Sequence, residues 1–139
     1  MKQLTLEFDG SCKPNPNGIA KYAYCIKNEA GEIIKSQKGV VGYDIISKTK
    51  ATSSNIAEYC GLIYGLKAIP KEERKNIIIN IFSDSKLLVG QMTGSIKVES
   101  KNLIYLNNIS KETCSEYASV SFKWVERSKN RFCDKLAKS

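Results

Sequence analysis

FDGSCKPNPNG, residues 8–18, is the stretch on which the reading of this chain turns. Before it, residues 4–8 alternate apolar Leu4, Leu6 and Phe8 with Thr5 and Glu7, the pattern of a strand with one apolar and one mixed face. That strand closes on a carboxylate, Asp9, and enters a segment of Gly, Pro and Asn with the composition of a tight turn. A charge at the end of a buried strand is costly, because desolvation favours its neutral form unless a metal, a base or a basic ligand sits beside it. Asp9 therefore requires a partner.

Working outward, residues 19–27 (IAKYAYCIK) read as a second strand, residues 28–31 (NEAG) as a hairpin turn and residues 32–41 as a third strand, which makes an antiparallel meander. Residues 42–52 read as a polar connection. Ser53 or Ser54 is suited to cap a helix that runs to about Ile69 and is stopped by Pro70. Apolar residues cover most of its circumference, which predicts a well-buried helix with Glu58 in its middle. Gly61 and Gly65 stand three and seven residues on, so the side of the helix that carries Glu58 is bare and permits close approach. Each glycine costs about 1 kcal/mol against Ala in a helix interior, and a packing or functional reason for them is expected.

Residues 76–83 (NIIINIFS) form the clearest strand, a nearly continuous apolar run of the kind buried on both faces of a parallel sheet. It too ends on a carboxylate, Asp84. A short helix is expected over 85–92, broken by Thr93 and Gly94, and a longer one over 100–117 with Leu103, Leu106, Ile109 and the stem of Lys111 towards the core. Residues 120–125 alternate as a fifth strand, and residues 130–139 begin a last helix. The order βββαβααβα predicts an α/β fold: a five-stranded mixed sheet, strand order 3-2-1-4-5, flanked by helices. Strands one and four are neighbours where the path across the sheet reverses, and ligands bind outside the carboxyl ends of strands at such a point. Asp9 and Asp84 are both expected there.

A chain of 139 residues suits one domain, here residues 1–139, with a single core. No apolar run approaches the roughly 20 residues of a membrane span, and Glu7 and Asp9 stand where a signal peptide needs its apolar centre. The expectation is a cytoplasmic monomer without a membrane partner. Cys12, Cys25, Cys60, Cys114 and Cys133 are odd in number, scattered and without a CxxC pair; with no His in the chain they read as free thiols. The chain has 22 Lys and Arg against 14 Asp and Glu, a formal charge of +8. A surface this basic suits a polyanion.

Three carboxylates now have a reason to converge: Asp9 and Asp84 at adjacent strand ends, and Glu58 on a buried helix. A fourth, Asp134, lies in the last helix. Taken singly, Asp9 could cap its turn, Glu58 could pair with a lysine, Asp84 could cap the next helix and Asp134 could be solvated. Independent surface roles do not place carboxylates on successive core elements, however. Clustered carboxylates repel unless divalent cations neutralise them, and oxygen-only donors suit Mg²⁺ or Mn²⁺. Two such ions about 4 Å apart can activate a water and stabilise the leaving oxygen at a phosphodiester.

The chain resembles the type 1 ribonucleases H, through DGSCKPNPNG from Asp9, SSNIAEYCGLIYGL from Ser53, IFSDSKLLVGQM from Ile81 and WVERSKNRFCDKLA from Trp124, in order through nearly the whole length. The resemblance implies that Asp9, Glu58, Asp84 and Asp134 bind two Mg²⁺ (or Mn²⁺) ions, with Asp9 bridging them. It implies endonucleolytic hydrolysis of the RNA strand of an RNA–DNA hybrid, leaving 5′-phosphate and 3′-hydroxyl ends. Many bacterial members have a loop His before the last carboxylate; here Arg127 stands seven residues before Asp134, as in short, archaeal-like members, and is expected to substitute for it. A solvated Arg that merely attracts phosphate is the competing reading. The Lys- and Trp-rich basic protrusion of other members is absent, with only MTGSIKVESKN in its place, so hybrid binding is expected to fall steeply with salt.

The resemblance also implies substrate contacts. Gly10 and Ser11 would offer backbone groups to the RNA strand, whose 2′-hydroxyl distinguishes it from DNA. Asn15 and Asn55 would approach the minor groove, Ser54 replaces a second Asn usual in the family, and Lys86 would contact a phosphate. Trp124, a single Trp on a strand, favours the core over stacking on a sugar. The alternatives are a related metal nuclease acting on double-stranded RNA or as part of a reverse transcriptase, and a non-catalytic hybrid-binding module.

Overall fold

The structure, a computed structural model, describes residues 1–138, with the backbone alone described for residues 131, 134, 137 and 138. Ser139, with which the last helix was expected to end, lies outside the described residues. The strands are β1 (Lys2–Lys13), β2 (Ile19–Lys27), β3 (Ile33–Val40), β4 (Ile77–Ser83) and β5 (Ser119–Trp124). They form one sheet in the order β3-β2-β1-β4-β5, as the sequence predicts. The β1–β2 and β2–β3 pairs are antiparallel, and the β1–β4 and β4–β5 pairs are parallel.

The strand β1 does not stop at Asp9. Its antiparallel pairing with β2 continues to Lys13 opposite Ile19, whereas its parallel pairing with β4 ends at Glu7 opposite Phe82. Asp9 thus sits just past the point where β1 and β4 part, still held by its pairing with Ala23. The turn proper is Pro14–Gly18, closed by the Gly18 N–H donating to the Pro14 carbonyl at 2.8 Å. The Thr52 hydroxyl donates to the Gly18 carbonyl at 2.7 Å and ties that turn to the segment leading into the long helix.

The helices are α1 (Tyr43–Thr49), α2 (Ser54–Lys67), α3 (Lys71–Arg74), α4 (Lys86–Thr93), α5 (Lys101–Cys114) and α6 (Arg131–Lys138). Residues 42–52, read as a connection, contain α1; it is held from outside, by burial of Ile45 and by the Tyr64 hydroxyl donating to Asp44 at 2.9 Å. The cap of α2 is Ser53, whose Oγ accepts from the Ile56 N–H at 3.1 Å. Ser100 caps α5 in the same way, and α4 ends on Gly94 in the left-handed region. Lys111 is exposed rather than laid along the core, whereas Leu103 and Leu106 are buried.

The α2 helix packs on β1 and β2, α5 packs on α2, and α6 lies over β1, β2 and β3 on the other face. Close approach of α2 rests on its glycines: a Cβ on Gly61 would stand 3.1 Å from the carbonyl oxygens of Asp9 and Ala23, and one on Gly65 would stand 2.6 Å from Leu6 Cδ1. These contacts place Leu6 and Phe8 against α2 and, by alternation, Glu7 and Asp9 on the face covered by α6. One apolar cluster runs from Leu4 and Leu6 through Ile56, Leu62 and Leu66 to Ile79, Ile81 and Leu106. β4 was expected to be buried on both faces; it alternates instead, Ile77, Ile79 and Ile81 buried and Ile78, Asn80 and Phe82 half-buried, because α6 covers β1–β3 and leaves the outer face of β4 partly open.

Candidate active site

The candidate site lies where β1 and β4 part, at the carboxyl end of β4. Asp9 is buried there, 5% exposed, on the face covered by α6. Asp84 follows β4 directly, and its side chain is also 5% exposed. It is not the cap of α4: Ser85 takes that role, its Oγ accepting from the Leu88 N–H at 3.1 Å, so the Asp84 carboxylate is left for other work. Its main chain is pinned by the Trp124 Nε1–H, which donates to the Asp84 carbonyl at 3.1 Å, and by the Val125 N–H donating to the Ser83 carbonyl at 2.9 Å.

Glu58 approaches from α2. A Cβ on Gly10 would collide with the backbone of Ala57 and Glu58, so the absence of a side chain there is what lets this turn of α2 lie against β1 beyond Asp9. Burial above all, with the Asp84 charge adding to it, pushes the Glu58 carboxyl up to about 7 against the opposing effects of the Ser85 side chain and Arg127. Asp84 and Glu58 therefore feel each other's charge. Arg127 opens a short 3-10 turn, Arg127–Lys129, with its Nε 3.4 Å from Asp84 Oδ2. Its side chain is 71% exposed, so it screens the pair from the solvent side without neutralising it.

Asp84 Oδ2 is buried and accepts no hydrogen bond among the described residues; the approach of Arg127 is an ion pair without hydrogen-bond geometry. A buried anionic oxygen without a donor, beside a glutamate that burial holds near neutral, is a set that a hard cation completes. The donors, all carboxylate oxygen, fit a divalent ion of the magnesium type. Among the described residues the carboxylates of Asp9, Glu58 and Asp84 are not a trio with donor atoms all within 4.8 Å of one another, and the one such trio lies elsewhere, at Glu7, Cys25 and Cys133. The backbone of α6 carries Asp134, whose side chain lies outside the described residues.

Asn130, which the sequence reading passed over, is 1% exposed, and its Nδ2 donates to the Phe8 carbonyl at 2.9 Å, so the start of α6 is tied to β1 beside Asp9. A polar residue just before a helix ordinarily suggests a cap, and that signal did not reveal a tether. Trp124 is a correction: at the last position of β5 it is 39% exposed, with Lys86 Nζ of α4 4.7 Å from its ring centroid. Asn15 Oδ1 accepts from the Ser54 N–H at 3.2 Å, which joins the turn after β1 to the start of α2. Asn55 is exposed on the first turn of α2, and Gly10 and Ser11 are half-buried along β1.

The model of the family described as reverse transcriptase-like matches residues 7–139, and the chain belongs to that family. Within it the chain is a type 1 ribonuclease H domain. A bifunctional protein of Mycobacterium tuberculosis is 30% identical over 135 residues, 97% of this chain and 34% of that protein, so the chain spans about a third of the curated relative. The solved amino-terminal RNase H domain of the same protein, a fusion with maltose-binding protein, is 28% identical with a TM-score of 0.85, over 99% of this chain and 92% of that one. RNase H1 of Halobacterium salinarum is 25% identical at a TM-score of 0.85, over 98% and 95% of the two chains. An RNase H1 from a compost metagenome, solved with an RNA/DNA hybrid, is 25% identical at a TM-score of 0.84, over 97% and 94%. No helix among the described residues is long and apolar enough to cross a membrane.

Proposed function

We propose that this chain is an endoribonuclease that hydrolyses the RNA strand of RNA–DNA hybrids, leaving 5′-phosphate and 3′-hydroxyl ends. The observation that carries the reading is Asp84 Oδ2, buried and without a hydrogen-bond donor among the described residues, beside Glu58, whose carboxyl is raised by burial and by the Asp84 charge; β1, which carries Asp9, is the neighbouring strand at the switch point of the sheet. Asp9, Glu58, Asp84 and Asp134 would hold two divalent cations, Mg²⁺ or Mn²⁺. When bound, such ions supply an activated water and offset charge on the leaving oxygen.

The chain's own residues do the rest. Glu58, whose carboxyl is raised to about 7 without a cation, is only partly ionised at neutral pH, so the site is not preset as a full negative cluster that repels phosphate. Arg127 reaches over Asp84 from the solvent side and directs a cation at the place where a scissile phosphate approaches. It takes the place of the loop His, as a charge rather than as a proton carrier. Gly10 and Ser11 border the RNA strand, Asn15 and Asn55 the minor groove, and Lys86 a phosphate with Trp124 beneath it. A hybrid-bound relative supports this choice of substrate.

The test compares labelled RNA–DNA, RNA–RNA and DNA–DNA duplexes in Mg²⁺ and in Mn²⁺. Cleavage of the RNA strand of the hybrid alone is expected. Cleavage of the other duplexes would favour a metal nuclease with another target, and binding without cleavage would favour an accessory module.

A further inference from the structure

On the face of the sheet covered by α6, three donors meet that the nuclease chemistry does not use. Glu7 of β1 stands directly opposite Cys25 of β2 in the antiparallel register, so their side chains rise side by side from one face. Cys133 descends on them from α6. The donor atoms of Glu7, Cys25 and Cys133 all lie within 4.8 Å of one another. Both cysteines are fully buried. Lys27 lies beside the cluster, its Nζ 3.2 Å from both carboxylate oxygens of Glu7.

The other buried thiols show what an ordinary core cysteine does in this chain. Cys12 donates to the Pro14 carbonyl at 3.3 Å, next to the Thr52 hydroxyl, and Cys60 lies in the apolar cluster. Neither belongs to a group of three such donors among the described residues, whereas Cys25 and Cys133 share one with Glu7.

We propose that Glu7, Cys25 and Cys133 form a binding site for a thiophilic divalent cation of the zinc type, which clasps α6 to β1 and β2. Zinc bonds to sulfur at about 2.3 Å and to carboxylate oxygen at about 2.0–2.2 Å, which sets tetrahedral donors roughly 3.5–3.8 Å apart. The trio needs only a small closure to reach that spacing. Two sulfur donors select against magnesium and calcium, which prefer oxygen. The charges also balance: two thiolates and one carboxylate carry three negative charges, the ion supplies two positive ones, and Lys27 supplies the third. Water fills the fourth position from the side of Glu7, whose side chain is 14% exposed. A disulfide between the same cysteines would use neither the carboxylate nor Lys27, so the cation is the reading that accounts for all four groups.

The consequence for α6 follows from position. Cys133 immediately precedes Asp134, so an ion here fixes the backbone that carries Asp134; this step rests on Asp134 being the fourth carboxylate of the nuclease site. The site itself does not depend on that role.

The test uses the full chain, reduced with a phosphine and stripped with a chelator, with excess Mg²⁺ present to occupy carboxylate-only sites. Co²⁺ is expected to bind at one equivalent with a near-ultraviolet sulfur-to-cobalt charge-transfer band and intense visible bands of a four-coordinate ion, all displaced by Zn²⁺. Cys25→Ser and Cys133→Ser should each lose the charge-transfer intensity, and Glu7→Gln should keep it while weakening Zn²⁺ binding at least tenfold. Circular dichroism of each variant shows whether it is folded, and X-ray absorption of the Zn²⁺-loaded wild-type chain, reading two sulfur neighbours, serves if one is not. A wild-type chain without the charge-transfer band, or one that keeps it in the double serine variant, overturns the proposal. So does a Cys25–Cys133 disulfide in air with no cobalt uptake after reduction. None of these readouts measures RNA cleavage, so failure here leaves the nuclease reading standing, and failure of the nuclease reading leaves this one.

Discussion

Replacing Glu58 with Gln is expected to make the metal-free protein more stable above neutral pH, although it damages the site. In the fold the Glu58 carboxyl titrates near 7, against an ordinary value of 4.5, chiefly because of burial and next because of Asp84. The folded state therefore keeps this proton up to about pH 7, whereas the unfolded chain gives it up near 4.5. Between those values the unfolded state binds fewer protons, so stability falls as pH rises through the window and levels off above it. At 1.36 kcal/mol per pH unit, a shift from 4.5 to about 7 amounts to about 3 kcal/mol lost by pH 8. Gln keeps the shape, can still meet the Ser85 side chain, and never ionises. Urea unfolding in EDTA is thus expected to give equal stabilities for the two proteins at pH 4 and an advantage of about 2–3 kcal/mol for Glu58→Gln at pH 8. Saturating Mg²⁺ should shrink or reverse that gap, because a cation held by the carboxylate stabilises only the wild type. A variant no more stable than wild type at pH 8 in EDTA, or a gap independent of pH, would refute the reasoning.

Asp9→Asn and Asp84→Asn are each expected to abolish hybrid cleavage, by at least about a thousandfold or ~4 kcal/mol of barrier, with an unchanged circular dichroism spectrum; single-turnover assays on a labelled hybrid check this. Arg127→Ala should slow turnover about tenfold while leaving Mg²⁺ affinity, read by calorimetry, within about threefold; an unchanged rate would make it a bystander. Gly10→Ala should cost at least about 2 kcal/mol, because its methyl group meets the backbone of Ala57 and Glu58 rather than a yielding side chain. Hybrid binding should weaken on the order of 150-fold between about 50 and about 200 mM salt if about four phosphates are neutralised, and fluorescence anisotropy reads that slope.

Much of this architecture is legible in the residues, and the exceptions have physical causes. The bounds of β2 and the cap and extent of α2 follow from local pattern, because turn residues, Ser53 and Pro70 punctuate them. The strand order follows from the crossover helix between β3 and β4. The true length of β1 did not follow, since GSCK has turn composition and is strand only through its pairing with residues 19–22 of β2. α1 is invisible for a similar reason: Ile45 and the Tyr64–Asp44 bond hold it from other parts of the chain. The alternation of β4 depends on where α6 lies, which no spacing encodes. At the site, strand-end carboxylates were legible as a class because buried charge is rare. The tether from Asn130 to Phe8 and the meeting of Glu7 with two thiols were not, because each joins elements more than a hundred residues apart.

The most direct measurement is anomalous diffraction from crystals soaked in Mn²⁺ together with a non-cleavable RNA–DNA hybrid. The account predicts two manganese peaks about 4 Å apart, ligated by Asp9, Glu58, Asp84 and Asp134 and flanking one phosphate of the RNA strand. A hybrid seated elsewhere, or manganese found away from Asp9 and Asp84, would contradict it.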